Sequence, residues 1–350
     1  MELVLGTEPT RRFLWMEAGG ACRKLLETVM LVQPGENVVI TADTSSDERI
    51  VDLTASTAYS LGAVPTVVYY PTAPTSTLQP PAPVAAAIQS SDVWIEYAVA
   101  YTLYSDAYKA AMASGVRYIC LTGMDIEMLV RTVGKVDYLK MIELGHHMCT
   151  LLKQSGEVRV LSSSGTDLVF TASHVRDVIQ PGRIADKKGE PVMLGGQNGW
   201  MVEEGEEVNG TLVFDGACWP PEEIGILKEP IVLAIDAGFI VGVEGGSEAR
   251  ILERWLAAGN HPNSYRMAHV SPGFNPGVTR CSGRIVEDER VFGCIEIGFG
   301  KSPSWDAPGH TDGVNLLPTI SVNDIVIEKD GIWIDERMRQ LCRELNVAGY

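Results

Sequence analysis

Asn37-Val38-Val39-Ile40-Thr41-Ala42-Asp43 decides the fold when read together with the next thirty residues. The run has an apolar centre and no polar alternation, the mark of a strand buried on both faces. Asp47-Glu48 then opens a helix to about Leu61, Gly62 ends it, and Val64-Pro65-Thr66-Val67-Val68-Tyr69-Tyr70 is a second strand. Upstream, apolar residues at Phe13, Met16, Leu25, Leu26 and Val29 predict a helix over 12–30, closed by the turn Gln33-Pro34-Gly35-Glu36. Downstream the cycle repeats. A helix over 82–90 leads to the strand Asp92-Val93-Trp94-Ile95-Glu96-Tyr97, and a helix over 106–114 leads to Arg117-Tyr118-Ile119-Cys120-Leu121. Short apolar strands alternating with helices predict a parallel sheet covered on both faces, so residues 1–155 read as an α/β domain.

This domain carries no nucleotide signature. No G-x-G-x-x-G follows the first strand, and no G-x-x-x-x-G-K-[ST] occurs in the chain. Ligands of open parallel sheets gather at the carboxyl ends of strands. The loop Ala98 to Asp106, with Tyr101 and Tyr104, is therefore a candidate pocket lining, although both tyrosines equally suit a partly buried aromatic role.

Beyond a helix near 136–154 the pattern becomes β-rich. Glu157–Leu161 and Asp167–Thr171 predict a hairpin. Strand-like runs follow at 211–214, 231–235, 239–243, 269–270, 290–297 and 325–327, interrupted by one helix from Ser247 to about Ala258. Residues 156–350 thus form a β-rich α+β domain.

Composition narrows the partners. Of 350 residues, 45% are apolar and the formal net charge is −17, which argues against nucleic acid and against an anionic membrane surface. No apolar stretch reaches the length of a membrane span, and Met1 to Pro9 lacks the pattern of a signal peptide. Seven scattered cysteines without C-x-x-C spacing suit reduced thiols, so a cytoplasmic location is expected.

The chemistry centres on Gly309-His310-Thr311-Asp312-Gly313. In an extended segment His310 and Asp312 point the same way. An imidazole and a carboxylate on one face are half of a metal site, and a second histidine would complete a 2-His-1-carboxylate triad. The residues alone equally suit a turn with a solvated acid. Among the other histidines, His146 and His147 are adjacent on a helix and so poor co-ligands, while His174 and His261 lie in polar loops. His269 ends a short strand before the loop Ser271-Pro272-Gly273-Phe274-Asn275-Pro276-Gly277, which would hold a ligand firmly yet leave it accessible. Glu296, inside Cys294-Ile295-Glu296-Ile297-Gly298-Phe299-Gly300, is either on an exposed face or has a partner, because an isolated buried carboxylate is costly. Glu248 suits the first turn of a helix.

Several stretches resemble two related groups of enzymes. They are Gly165-Thr166-Asp167-Leu168, the Gly195-Gly196-Gln197 turn before Val208 to Asp215, Ala268-His269-Val270 with Asn275-Pro276, and Gly309-His310-Thr311-Asp312. One group is the aminopeptidase T metallopeptidases. The other is the 2,5-dihydroxypyridine 5,6-dioxygenases, which share that fold and open an aromatic ring with one Fe(II). The resemblance implies an aminopeptidase T-like fold, a homo-oligomer, and His269, His310 and Asp312 as an iron triad. It also places Tyr104 where the dioxygenases carry an acid–base histidine, and Glu296 where the peptidases carry a metal-binding histidine. Glu248 falls near another peptidase ligand.

The resulting expectation is an Fe(II)-dependent, extradiol-type dioxygenase. It would act with O₂ on a small hydroxylated N-heteroaromatic, dihydroxypyridine-like, or on an aromatic acid. Glu296 and Tyr104 would handle protons, and Arg266 and Ser302 would grip the substrate. The alternative is an aminopeptidase or amidase-like metallohydrolase with one or two Zn, Mn or Co ions, in which Glu248 and Glu296 join the ligands. A third reading is a binding protein that kept the fold and lost the chemistry.

Overall fold

The computed structural model describes residues 14–154, 156–172 and 184–350. The described residues form two compact units: those up to Lys135 together with 184–194, and the remainder.

The first unit is built on a five-stranded, wholly parallel sheet. Its order is Val64–Tyr70, Asn37–Asp43, Val93–Glu96, Arg117–Cys120, Pro191–Met193. Asn37–Asp43 is buried at every residue but the first, as expected of a strand covered on both faces. Asp47 caps the next helix, Glu48–Ser60, by accepting from the Arg49 backbone N–H, and Gly62 leaves it at φ 83°. The helix expected over 12–30 is α-helical at Trp15–Lys24 and continues as a π-turn at Leu25–Val29, with positions 12 and 13 outside the described residues.

The carboxyl ends of these strands carry a fully buried acid. Glu96 accepts from the Thr102 backbone N–H at 2.8 Å and its hydroxyl at 2.6 Å, and from the Tyr118 hydroxyl. Burial outweighs these donors and raises the Glu96 pKa from 4.5 to about 7. The folded chain therefore holds this proton where the unfolded chain has lost it. Stability falls as pH rises from about 4.5 to about 7 and is constant above, a change of about 3 kcal/mol. Glu96→Gln is expected to gain that amount relative to wild type between pH 4.5 and pH 8 in denaturant titrations. An equal effect of the substitution at both pH values would refute this.

The second unit holds two antiparallel sheets. The eight-stranded one runs Phe239–Gly245, Ile231–Asp236, Val208–Phe214, Asp167–Ala172, Gly156–Leu161, Thr319–Val322, Ile325–Lys329, Ile332–Trp333. The six-stranded one runs Gly225–Ile226, Ala217–Trp219, His310–Leu316, Cys294–Gly300, Met267–Gly273, Trp200–Met201. This division differs from a single cut after residue 155 at two places. Helix Tyr138–Leu152 belongs to the second unit, where its Lys140 and His147 pair with Glu344 and Asp335 near the C-terminal helix Glu336–Glu344. Pro191–Met193 returns to the first unit as the partner of Arg117–Cys120.

The strand expected over 290–297 begins only at Cys294. Before it, Ile285–Asp288 is helical, and buried Arg290 turns back to donate to the Val286 carbonyl at 2.6 Å. No helix among the described residues is long and apolar enough to cross a membrane.

Candidate metal centre

Three adjacent strands of the six-stranded sheet build the site. The register pairs His269 with Gly298, and Gly298 in turn with Asp312, while Glu296 faces Ser271 and His310 faces Gly300. His310–Leu316 is extended, so His310 and Asp312 share a face, and His310 Nε2 lies 2.9 Å from Asp312 Oδ1. His269 Nε2 lies 3.5 Å from the same oxygen. The two imidazole rings stack at 5.2 Å between centroids. One atom from each of His269, His310 and Asp312 falls within 4.8 Å of the others.

The donor set fits a hard or borderline divalent ion. Bonds of about 2.1 Å to nitrogen and oxygen put neighbouring ligand atoms about 3.0 Å apart, close to the separations found here. His310 Nδ1 lies 2.7 Å from the Lys301 carbonyl. That acceptor fixes a proton on Nδ1. Burial would lower the His310 pKa, but Asp312 and the Lys301 carbonyl outweigh it and raise it, which favours a proton on Nε2 towards Asp312; a divalent ion bound there would displace that proton. For His269, burial and then neighbouring His310 lower the pKa to about 4, so this imidazole is neutral and able to ligate. Burial would push Asp312 up, but the adjacent His310 outweighs it and holds the carboxylate ionised.

Glu296 is fully buried, and both its oxygens lie 3.0 Å from His269 Nε2. Burial and then the Asp312 carboxylate push its pKa well above the usual range. Glu289, Glu296 and Asp312 form a second group with ligand atoms within 4.8 Å. Gln197 enters this group from the Gly195-Gly196-Gln197 turn, and its amide donates to Glu296 at 2.8 Å and to Glu289 at 3.3 Å. Sequence reasoning gave no role to Gln197 or Glu289. The only hint was that turn, one of the motifs of the resemblance.

Arg266 lies just before the His269 strand, its guanidinium 3.9 Å above the Trp305 ring, and its carbonyl accepts from Gly300. The Ser302 hydroxyl accepts from the Ser304 backbone N–H at 3.0 Å, in the turn after Lys301. Glu248 lies in neither ligand group; it stands in the first turn of helix Ser247–Ala258 and accepts from the Ser247 hydroxyl at 2.8 Å. Tyr104 belongs to the first unit, at φ 70°, with its ring edge-on to Tyr108 at 6.1 Å. His147 pairs with Asp335, His261 accepts from the Asn263 backbone, and His174 lies outside the described residues.

A parallel-sheet unit followed by one with antiparallel sheets defines an aminopeptidase T-like fold, and solved structures agree. The structure of 2,5-dihydroxypyridine dioxygenase from Pseudomonas putida KT2440 superposes with a TM-score of 0.72 at 20% identity, covering 95% of this chain and 99% of that one. AmpT from Thermus thermophilus superposes with a TM-score of 0.67 at 14% identity, covering 92% and 100%. A sequence model of the 2,5-dihydroxypyridine 5,6-dioxygenase family matches residues 19–294, and the chain belongs to that family. The curated 2,5-dihydroxypyridine 5,6-dioxygenase of Pseudomonas putida KT2440 is 29% identical over 193 residues, 54% of this chain. The match spans about half the length of that relative, 52%.

Proposed function

We propose that this chain is a mononuclear, Fe(II)-dependent ring-cleaving dioxygenase acting on a dihydroxypyridine-like compound or a related hydroxylated aromatic acid. The observation that carries the reading is the convergence of His269, His310 and Asp312, with the His310 tautomer fixed by the Lys301 carbonyl. Family membership supports the reaction class.

Fe(II), when bound, supplies the open coordination positions and one-electron chemistry that bring O₂ and an organic ring together. The rest falls to the protein. His269 and His310 offer neutral nitrogens and Asp312 offers one negative charge, so the ligand set keeps the ion electron-rich without neutralising it. Glu296, against His269, is the group in the second unit placed to take the proton of a substrate hydroxyl and to return it. Arg266, its guanidinium over the Trp305 ring, is suited to a substrate carboxylate or ring oxygen, and Ser302 to a weaker polar contact. Tyr104 is proposed as a second proton carrier. A tyrosine at φ 70° costs on the order of 1 kcal/mol, and such outliers concentrate at functional sites.

The chain reconstituted anaerobically with Fe(II) is expected to consume one O₂ for each 2,5-dihydroxypyridine supplied, with loss of the ring's ultraviolet absorption. No O₂ uptake with any dihydroxylated pyridine or aromatic acid would overturn the reading.

A two-ion metallohydrolase using Zn, Mn or Co, peptidase or amidase, is the second reading. It is favoured by the Glu289–Glu296–Asp312 group. Ion content separates the two: one iron per chain, or a pair of hydrolytic ions.

A further inference from the structure

Asp312 belongs to two ligand groups, one with His269 and His310, the other with Glu289 and Glu296. Three carboxylates this close repel strongly in a buried setting unless protons, donors or a cation lie among them. In this chain donors already do so. The Gln197 amide nitrogen reaches Glu296 Oε2 at 2.8 Å and Glu289 Oε2 at 3.3 Å, and the Arg290 guanidinium pairs with the other Glu289 oxygen.

The amide is held firmly. Gly196 sits at φ 109°, and a side chain there would come within 2.4 Å of Asn275. Asn275 in turn donates to the Gly195 carbonyl at 3.0 Å, and the Phe274 backbone donates to Gly196 at 2.7 Å. Gln197 itself bridges to Gly273 in the sheet. The turn therefore aims an N–H donor, which has no lone pair for a metal, into the carboxylate group.

We propose that Gln197, with Arg290, takes the place of a second cation among Glu289, Glu296 and Asp312, and so sets the centre at one ion per chain. Gln197 is on this account a positioning residue: it turns Glu296 Oε2 towards its own amide and fixes the carboxyl beside His269. The inference rests on the metal-centre reading above and concerns ion number, not the reaction.

Gln197→Glu tests it, because the substitution keeps the shape while replacing a donor by an acceptor and adding a negative charge. Chelator-treated protein would be titrated with Mn(II) and followed by elemental analysis and electron paramagnetic resonance. Wild type is expected to bind one ion with an isolated-ion spectrum, and Gln197→Glu to bind two with the spectrum of an exchange-coupled pair. Two ions in wild type, or one in a folded Gln197→Glu, overturns the inference. Should that variant not fold, Glu289→Gln decides. It removes a ligand of the second group only, so retention of one ion supports the proposal and loss of the ion overturns it. Ion number is read without substrate, so failure to consume O₂ would strike the proposed reaction and leave this inference standing.

Discussion

Asp312→Asn is expected to strip the centre of its metal while leaving the fold in place. Asp312 is the carboxylate shared by both ligand groups, 2.9 Å from His310 Nε2 and 3.5 Å from His269 Nε2. Asparagine has nearly the same shape but brings no charge, so two neutral imidazoles would be left to hold a dication. Removing one member of a buried charged set costs about 3–5 kcal/mol, or roughly a hundred- to several-thousandfold in affinity. Iron retained after gel filtration should fall to background, and O₂ uptake with it. The variant should still unfold cooperatively, at a temperature below that of metal-free wild type, because His310 and His269 lose a carboxylate whose charged form the fold favours. Iron retained with wild-type affinity would mean that other residues hold the ion.

The second large effect is expected at a residue that offers no ligand atom. Gly298 lies between the two ligand strands, facing His269 on one side and Asp312 on the other. A Cβ at Gly298 would sit 2.3 Å from His269 Cε1 and 2.7 Å from Nε2. Those are clashes, and it is the imidazole that has to move. Overpacking of this kind costs about 1–3 kcal/mol of stability. A ligand displaced by about 1 Å costs on the order of a hundredfold in turnover. Gly298→Ala should therefore lose turnover roughly a hundredfold and bind iron more weakly, with only a modest fall in unfolding temperature. Gly20 is the control. It lies within helix Trp15–Lys24 with nothing within 4 Å of its added Cβ, so Gly20→Ala should stabilise by about 0.5–1 kcal/mol and leave activity alone. Wild-type turnover in Gly298→Ala would place His269 outside the metal's reach.

How much of this was legible in the sequence depended on the range of the interactions. Asn37–Asp43 announced itself because a strand covered on both faces needs a continuous apolar run, a local property, and Val64–Tyr70 because its β-branched and aromatic residues favour an extended chain even at the half-exposed edge of the sheet. The shared face of His310 and Asp312 also came from local geometry, the two-residue period of an extended chain. Pro191–Met193 did not announce itself. Three residues carry too little pattern, and what makes them a strand is Arg117–Cys120, far back in the sequence. Gln197 and Glu289 were hidden for a similar reason. A glutamine in a glycine turn and an acid beside an arginine look like surface residues until the sheet brings both to Glu296. The run at 290–297 misled because Val291 and Phe292 are apolar enough for a strand, while the Arg290 contact with the Val286 carbonyl is invisible to periodicity.

Because Pro191–Met193 supplies the last strand of the parallel sheet, the first unit is discontinuous in sequence. Its outermost ladder stays open on a growing chain until residue 193 has left the ribosome, several seconds after Arg117–Cys120 at ordinary elongation rates. During that interval the edge of Arg117–Cys120 is an unpaired template for other strands, and any fragment cut before residue 191 would keep that hazard permanently.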